Sequence, residues 1–324
     1  MRMLGTVGLC GILLAGPGSL FSACAADEAP TASSAQDASG APDGGDAAPS
    51  GVLSRFHVGF RSSRYAFYNT CYPFPTPEEF VKVAKDYVSR VPGSVAGAAW
   101  IVGVMDVTTS GQFTGYVNVG FPAEGKTAPS HVHFASEDLS EAYLTAFDGA
   151  GVHVWLQVEP GQADVGELAD LVLGRYGGHP SVVGFGVDVE WNKYRLTDAG
   201  EGTSSPVTDV DARAWLAKVR ARNPSYTLFL KHWEPSFMPP TEREGLLFID
   251  DSLDLGTRTA MFDEFSTWGS SFEPAPVGFQ IGYGADKVWW GPDAGIADPP
   301  GELAKQLQSI PNCRAVLWVD FSLH

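Results

Sequence analysis

Charge is scarce in this chain. Only 18% of its 324 residues are charged, and the basic residues are outnumbered, 21 against 38 acidic, for a net charge of −17. An acidic chain with no basic cluster disfavours nucleic acid and anionic polymers as partners. Cysteine is also rare, with Cys10, Cys24, Cys71 and Cys313 the complete set, too few for a disulfide scaffold. No apolar run reaches the roughly 18 residues that a membrane span requires. There is no H-E-x-x-H spacing, no nucleophile elbow, and no glycine-rich loop opening a helix as phosphate sites use. The one H-x-H pair, His131 and His133, falls in a loop. These absences leave metal-assisted hydrolysis, serine hydrolysis and phosphate binding without a motif, and we expect no metal and no cofactor.

Large apolar and aromatic residues are also absent from one long segment. Residues 25–50 are mostly Ala, Ser, Asp, Gly and Pro, a composition that cannot bury enough surface to offset ordering entropy. Before it stands a basic Arg2, an apolar stretch to Leu14, and the small residues Ser22-Ala23 ahead of Cys24. The expected organisation is a signal peptide over 1–23, a flexible tether over 24–50 and one large domain over 51–324. Phe21-Ser22-Ala23-Cys24 resembles a bacterial lipobox, which implies lipid anchoring at Cys24. Ordinary signal cleavage is the alternative. Either way the expected location is secreted or at the cell surface, with membrane contact only through such an anchor, and the expected state is a monomer.

The rest of the chain repeats one pattern, a short apolar strand ending in polar residues and usually followed by a helical stretch. Eight such strands are read at residues 56–61, 98–106, 152–160, 182–191, 226–235, 246–252, 277–284 and 315–322. Thr76-Pro77-Glu78-Glu79 opens a helix with a capping box, and Val210, Ala214, Leu216 and Val219 share one helical face. After the fifth strand only a short turn is expected. Runs apolar on both faces, alternating with helices, predict an α/β fold, a (β/α)8 TIM barrel whose eighth helix is missing. Residues 115–121 are expected to form a hairpin over the mouth. Cys71 and Cys313 fall at opposite ends of the barrel, which favours two free thiols.

In such a barrel the C-terminal strand ends form the active-site rim. Read from the sequence, that rim carries Arg61, Asp106, Trp155, Gln157, Glu159, Asp188, Glu190, Lys231, His232, Trp233, Glu234, Asp250, Asp251, Gln280, Tyr283, Trp318 and Asp320. Acids, amides and aromatics together suit a carbohydrate: ring faces stack on indoles while hydroxyls bond to carboxylates and amides. Asp188 and Glu190, two apart on an extended strand, are expected to face the same way, with Gly184 and Gly186 leaving room beside them. Other assignments compete. The two acids could be structural partners of Lys231 or Arg61. Glu159 could be a second acid or could pair with Lys231, and Lys231 could be a Schiff-base lysine. Asp250-Asp251 could anchor a loop, Trp155 and Trp318 could be core, and Trp289-Trp290 could pack the loop that carries them.

Gly184-Phe185-Gly186-Val187-Asp188-Val189-Glu190 resembles the fourth-strand signature D-G-x-D-x-D-x-E of family 18 glycoside hydrolases, the chitinases and endo-N-acetylglucosaminidases. Val316-Leu317-Trp318-Val319-Asp320 resembles that family's late tryptophan-bearing strand. The resemblance implies Glu190 as general acid, Asp188 orienting the substrate's acetamido nucleophile, Trp318 as the floor of the subsite, and Tyr283 as a hydroxyl donor. The rim composition, apart from the resemblance, adds Trp155, Gln157, Glu159, Lys231, Asp250, Gln280 and Asp320 as expected substrate contacts. Val183 and Gly186 stand where the signature has its first two aspartates. Two further readings stay open: a retaining glycosidase that pairs Asp188 with Asp250 or Asp251, and a carbohydrate-binding barrel without turnover.

Overall fold

The structure, a computed structural model, describes residues 51–62, 74–108, 111–196 and 202–319. Twelve strands lie among them: β1 (His57–Ser62), β2 (Val95–Val107), β3 (Phe113–Val119), β4 (Val132–Phe134), β5 (His153–Val158), β6 (Val182–Asp188), β7 (Arg195–Leu196), β8 (Gly202–Thr203), β9 (Thr227–Lys231), β10 (Leu246–Asp250), β11 (Val277–Ile281) and β12 (Cys313–Val319). The helices are α1 (Pro77–Arg90), α2 (Glu141–Ala150), α3 (Val165–Tyr176), α4 (Asp209–Arg222), α5 (Arg258–Phe272), α6 (Lys287–Trp290) and α7 (Pro299–Leu307).

Eight strands pair in parallel in the order β1-β12-β11-β10-β9-β6-β5-β2, and a β1–β2 pairing closes the ring. With α1 to α5 and α7 between them, this is a (β/α)8 barrel. As the sequence predicts, β9 is followed only by a 3-10 turn, Pro235–Phe237. Residues 1–50, Cys71 and Asp320 lie outside the described residues, and so do the expectations placed on them.

Local chemistry sets the helix starts. Thr76 caps α1 and Thr208 caps α4, each through a reciprocal box with Glu79 and Asp211. Asp164 caps α3 and Thr257 caps α5. Gly151 ends α2 in the left-handed region at φ 67°, which a glycine adopts without strain.

Strand alternation divides the core in two. Ala99, Trp155, Val183, Phe229, Leu247, Ile249, Ala315 and Leu317 form one cluster drawn from strands alone, so it fills the lumen. The larger cluster joins the opposite strand faces to the helices. Val52 and Leu53, in the turn before β1, pack against the lumen cluster. Gly184 and Gly186 leave no free room. A Cβ at Gly184 would meet Trp155 Cδ1 at 2.8 Å, and one at Gly186 would meet the Phe229 ring at 2.1 Å. The glycines admit these two rings into the lumen, which corrects the expectation of space beside the acids.

Residues 115–121 do not form a hairpin by themselves: 113–119 is one strand, β3, that turns back antiparallel on the end of β2. Asp106 serves it: its carboxylate accepts from Asn118 Nδ2 at 2.9 Å and from the Thr114 hydroxyl at 3.3 Å. Cys313 is a free, buried thiol, pushed up to about 12 by burial.

Candidate active site

The C-terminal mouth gathers six ionisable side chains. Arg61 comes from β1, Asp188 from the end of β6 and Lys231 from the end of β9. Glu159 and Asp251 each stand one residue past a strand. Glu190 sits elsewhere than alternation predicts. β6 ends at Asp188, and Val189–Trp191 turn into a 3-10 helix, so a turn rather than a shared strand face brings Glu190 to its neighbours. Its carboxyl nevertheless feels Asp188, Lys231, Asp251 and Glu159.

Lys231 is the hub. Its Nζ lies 2.9 Å from Asp188 Oδ2 and in short contact with Asp251 Oδ2. Asp188 Oδ2 also accepts from Gln157 Nε2 at 3.3 Å and lies 4.0 Å from Arg61. Arg61 reaches Glu159 Oε1 at 3.4 Å, and Glu159 Oε2 accepts from the Met105 N–H at 3.1 Å. Tyr283 donates to Gln280 Oε1 at 3.2 Å.

Charge counting decides who holds protons. Two cations face four carboxyl groups in a buried space, where an unbalanced charge is costly. Burial works against charge on Lys231, but Asp188 and Asp251 outweigh it and hold the ammonium above its ordinary range. Lys231 lies against both aspartates, and Arg61 is shared between Glu159 at 3.4 Å and Asp188 at 4.0 Å, so among the described residues Glu190 is the carboxyl with no ion pair. Burial and the nearby Asp188 charge push Glu190 up to about 8, and the same two causes push Glu159 up to about 7. Burial and its acidic neighbours thus favour the protonated form of Glu190.

Several buried polar atoms have no hydrogen-bond partner among the described residues: Gln157 Oε1, Asp188 Oδ1, Asp251 Oδ1 and Gln280 Nε2. Such atoms are uncommon in a packed interior, and all four are closed to solvent beneath the rim.

Some sequence-assigned residues lie apart from this group. Trp155 is 1% exposed, belongs to the lumen core, and donates to the Thr227 hydroxyl at 2.8 Å; it packs beneath the rim. Trp318 faces the helix layer, because Ala315 and Leu317 take the lumen positions of β12. It stands edge-on to Trp290 at 5.6 Å and is no subsite floor. Trp289 donates to Asp286 and Trp290 to the Tyr283 carbonyl, so this pair packs its loop. Asp250 faces outward as well, where it accepts the Ser252 N–H at 2.8 Å and feels Glu264 of α5. Leu247 and Ile249 point into the lumen, so alternation along β10 gives the rim position to Asp251, a signal present in the sequence. Three further aromatics line the mouth: Phe113, Trp191 and Tyr194, with ring centroids 4.5 to 5.8 Å apart.

No protein-family model matches this chain, and no curated protein matches it in sequence. Two solved structures show a distant likeness. EndoBT-3987 of Bacteroides thetaiotaomicron, in complex with a Man5GlcNAc product, has a TM-score of 0.31 at 12% identity, over 62% of this chain and 44% of that one. This chain thus spans less than half of that protein's length. TsXylA, an intracellular xylanase from Thermoanaerobacterium saccharolyticum, has a TM-score of 0.30 at 12% identity, over 82% and 86% of the two chains. At these scores neither likeness carries an argument; the barrel rests on its strand pairing.

Proposed function

We propose that this protein is a glycoside hydrolase with Glu190 as its general acid. The observation that carries the reading is the meeting of Glu190 and Asp188 at a barrel mouth, where Asp188 pairs with Lys231 at 2.9 Å and Glu190 has no ion pair among the described residues; burial and Asp188 push Glu190 up to about 8, while burial raises Asp188 against the pull of Lys231 and Arg61. Glycosidic cleavage needs such a contrast, one carboxyl that gives a proton to the leaving oxygen and another that stays charged near the anomeric centre.

The finer reading is acetamido-assisted cleavage. Asp188 Oδ2 is engaged by Lys231 and Gln157, whereas Oδ1 has no partner. Oδ1 is the atom left to accept the N–H of a substrate acetamido group, which requires the rim over Asp188, 1% exposed, to open for the substrate. The acetamido oxygen then bonds to the anomeric carbon as the glycosidic C–O bond breaks, and Glu190 gives its proton to the departing oxygen. Water later opens the oxazolinium ion and returns a proton to Glu190. Pairing Asp188 with Asp251 as nucleophile and acid is less suited to this geometry, since both carboxylates share the Lys231 ammonium. We place the protein outside the cell, held there by a lipid at Cys24 or released after signal cleavage; loss of labelled-lipid incorporation in C24S tests the anchor.

Chromogenic glycosides of N-acetylglucosamine, glucose, xylose and mannose test the chemistry. E190Q is expected to lower kcat by about 10² to 10⁴-fold on the substrate that is cleaved, without loss of binding. Inhibition by an N-acetylglucosamine thiazoline is expected for the acetamido route, and its absence removes that route alone. Hydrolysis by E190Q at the wild-type rate removes Glu190 as the acid. A wild-type protein that binds sugars and cleaves none is a binding barrel.

A further inference from the structure

Two groups of aromatic rings follow the strand ends next to Glu190, one after β9 and one after β6, and neither belongs to the ionic cluster. In the first group Trp233 follows β9. It is 45% exposed although it is a tryptophan, and its inner face is stacked. The His232 ring lies 4.1 Å away with planes 22° apart, and Phe237 stacks on His232 at 4.1 Å and 7°. His232 is buried, and its Nδ1 accepts the Glu234 N–H at 2.9 Å. That bond fixes the ring beneath Trp233. Burial lowers His232 to about 4, so the support stays neutral. The indole is a rigid shelf with an open face.

In the second group Trp191 follows Glu190 directly. Phe113 reaches it from the β2–β3 hairpin at 4.5 Å, and Tyr194 packs at 5.4 Å. Phe113 and Trp191 are half-buried, which leaves ring surface toward solvent. Trp233 follows β9, the neighbour of β6 on one side, and Phe113 comes from the β2–β3 hairpin, beyond β5 on the other, while Trp191 and Tyr194 belong to the segment that leaves β6 itself. Tyr194 feels the Glu190 carboxyl, so the second shelf adjoins the acid.

We infer that the mouth takes a neutral glycan chain lying across it, with one sugar stacked on Trp233 and another on the Trp191–Phe113 shelf, so that cleavage falls within the chain. This deepens the glycosidase reading and rests on its carbohydrate specificity. Flat, rigid aromatic faces suit the apolar faces of pyranose rings, and tryptophan anchors dominate binding energy when they are held in place. A net charge of −17 argues against uronic-acid polymers.

The test is calorimetric titration of the full chain carrying E190Q with linear β-linked oligomers, from two to six units, of N-acetylglucosamine, glucose, xylose and mannose. One series is expected to bind more tightly with length up to at least four units. W233A and, separately, F113A are expected to weaken the longest oligomer about tenfold or more, and more than they weaken the disaccharide, which spans fewer of the stacked positions. W191A serves as a second variant for the inner shelf, with a thermal melt to establish that it folds. In the wild type, a reducing-end-labelled hexamer of that series is expected to yield internal fragments first. Affinity that levels off at two units, unchanged affinity in W233A and F113A, or no binding in any series overturns the inference. Length-dependent binding that needs both shelves, with no cleavage by the wild type, leaves the inference standing and overturns the hydrolase reading. Cleavage abolished by E190Q with both shelves irrelevant does the reverse.

Discussion

Lys231 Nζ lies 2.9 Å from Asp188 Oδ2 at the rim, and both residues are almost wholly buried, 2% and 1% exposed. The pair joins the ends of β6 and β9, which are registered Asp188 against Lys231. One ammonium also holds Asp251. Lys231 is therefore the counter-ion for two carboxylates that have little access to water.

Removing that counter-ion is expected to be costly. K231M leaves Asp188 and Asp251 buried without it, and breaking such a cluster by deleting one partner costs about 3–5 kcal/mol. Urea unfolding measures the loss. It should widen as pH rises above the ordinary carboxylate range, because the stranded carboxylates then have to ionise or hold protons against solution. Unchanged stability at pH 7 would mean that the cluster does not contribute as described.

Glu190 gives a prediction with a definite sign. Its folded-state value of about 8 exceeds the ordinary 4.5, so the folded protein binds more protons than the unfolded chain between those values. Stability from this group is present at low pH and is lost as pH rises toward 8. E190Q removes the titration and keeps the shape. The variant is expected to match the wild type near pH 4 and to exceed it by roughly 1–3 kcal/mol at pH 8–9, once partial solvent contact of the side chain is allowed for. Thermal melts across that range check it. In the hydrolase reading, the alkaline limb of the wild-type kcat/KM profile falls near 8 for the same reason.

Asp250 and Asp251 should behave differently despite their adjacency. Asp250 faces α5, and burial raises it well above the usual carboxylate range. D250N keeps an acceptor for the Ser252 N–H and is expected to change stability by less than about 1 kcal/mol at pH 5, with binding and turnover intact. D251N removes a Lys231 partner and is expected to impair turnover by tenfold or more. Equal activity in the two variants would contradict the outward placement of Asp250.

Gly186 tests the packing under the site. An added Cβ lies 2.1 to 2.5 Å from three atoms of the Phe229 ring. G186A is expected to destabilise by about 1–3 kcal/mol through overpacking. G186A combined with F229L should recover part of that loss, since contacting positions couple. Denaturant melts of the single and double variants measure the coupling.

Much of the barrel was legible from local pattern. Apolar runs at regular intervals, the Thr76 capping box and the stretch without helix after the fifth strand all lie in contiguous residues, and the strands and helices form near where those signals put them, but α4 buries Ala212, Trp215, Leu216 and Val219 and leaves Val210 and Ala214, expected on its buried face, exposed. The residue types of the mouth were legible too, because strand ends mark the rim whatever the register.

What the sequence determined by itself was therefore the architecture and the roster of chemistry at its open end. What only the tertiary structure decided was which side of each strand end looks inward and which charges meet. A one-residue change in phase sends Trp318 and Asp250 to the helix layer and leaves Asp251 on Lys231. A turn after Asp188 carries Glu190 to the cluster without alternation. The upward push on Glu190 was not legible at all: it follows from burial among two cations and four carboxyls that arrive from five different strands or their ends, and their sum exists only once the barrel has closed.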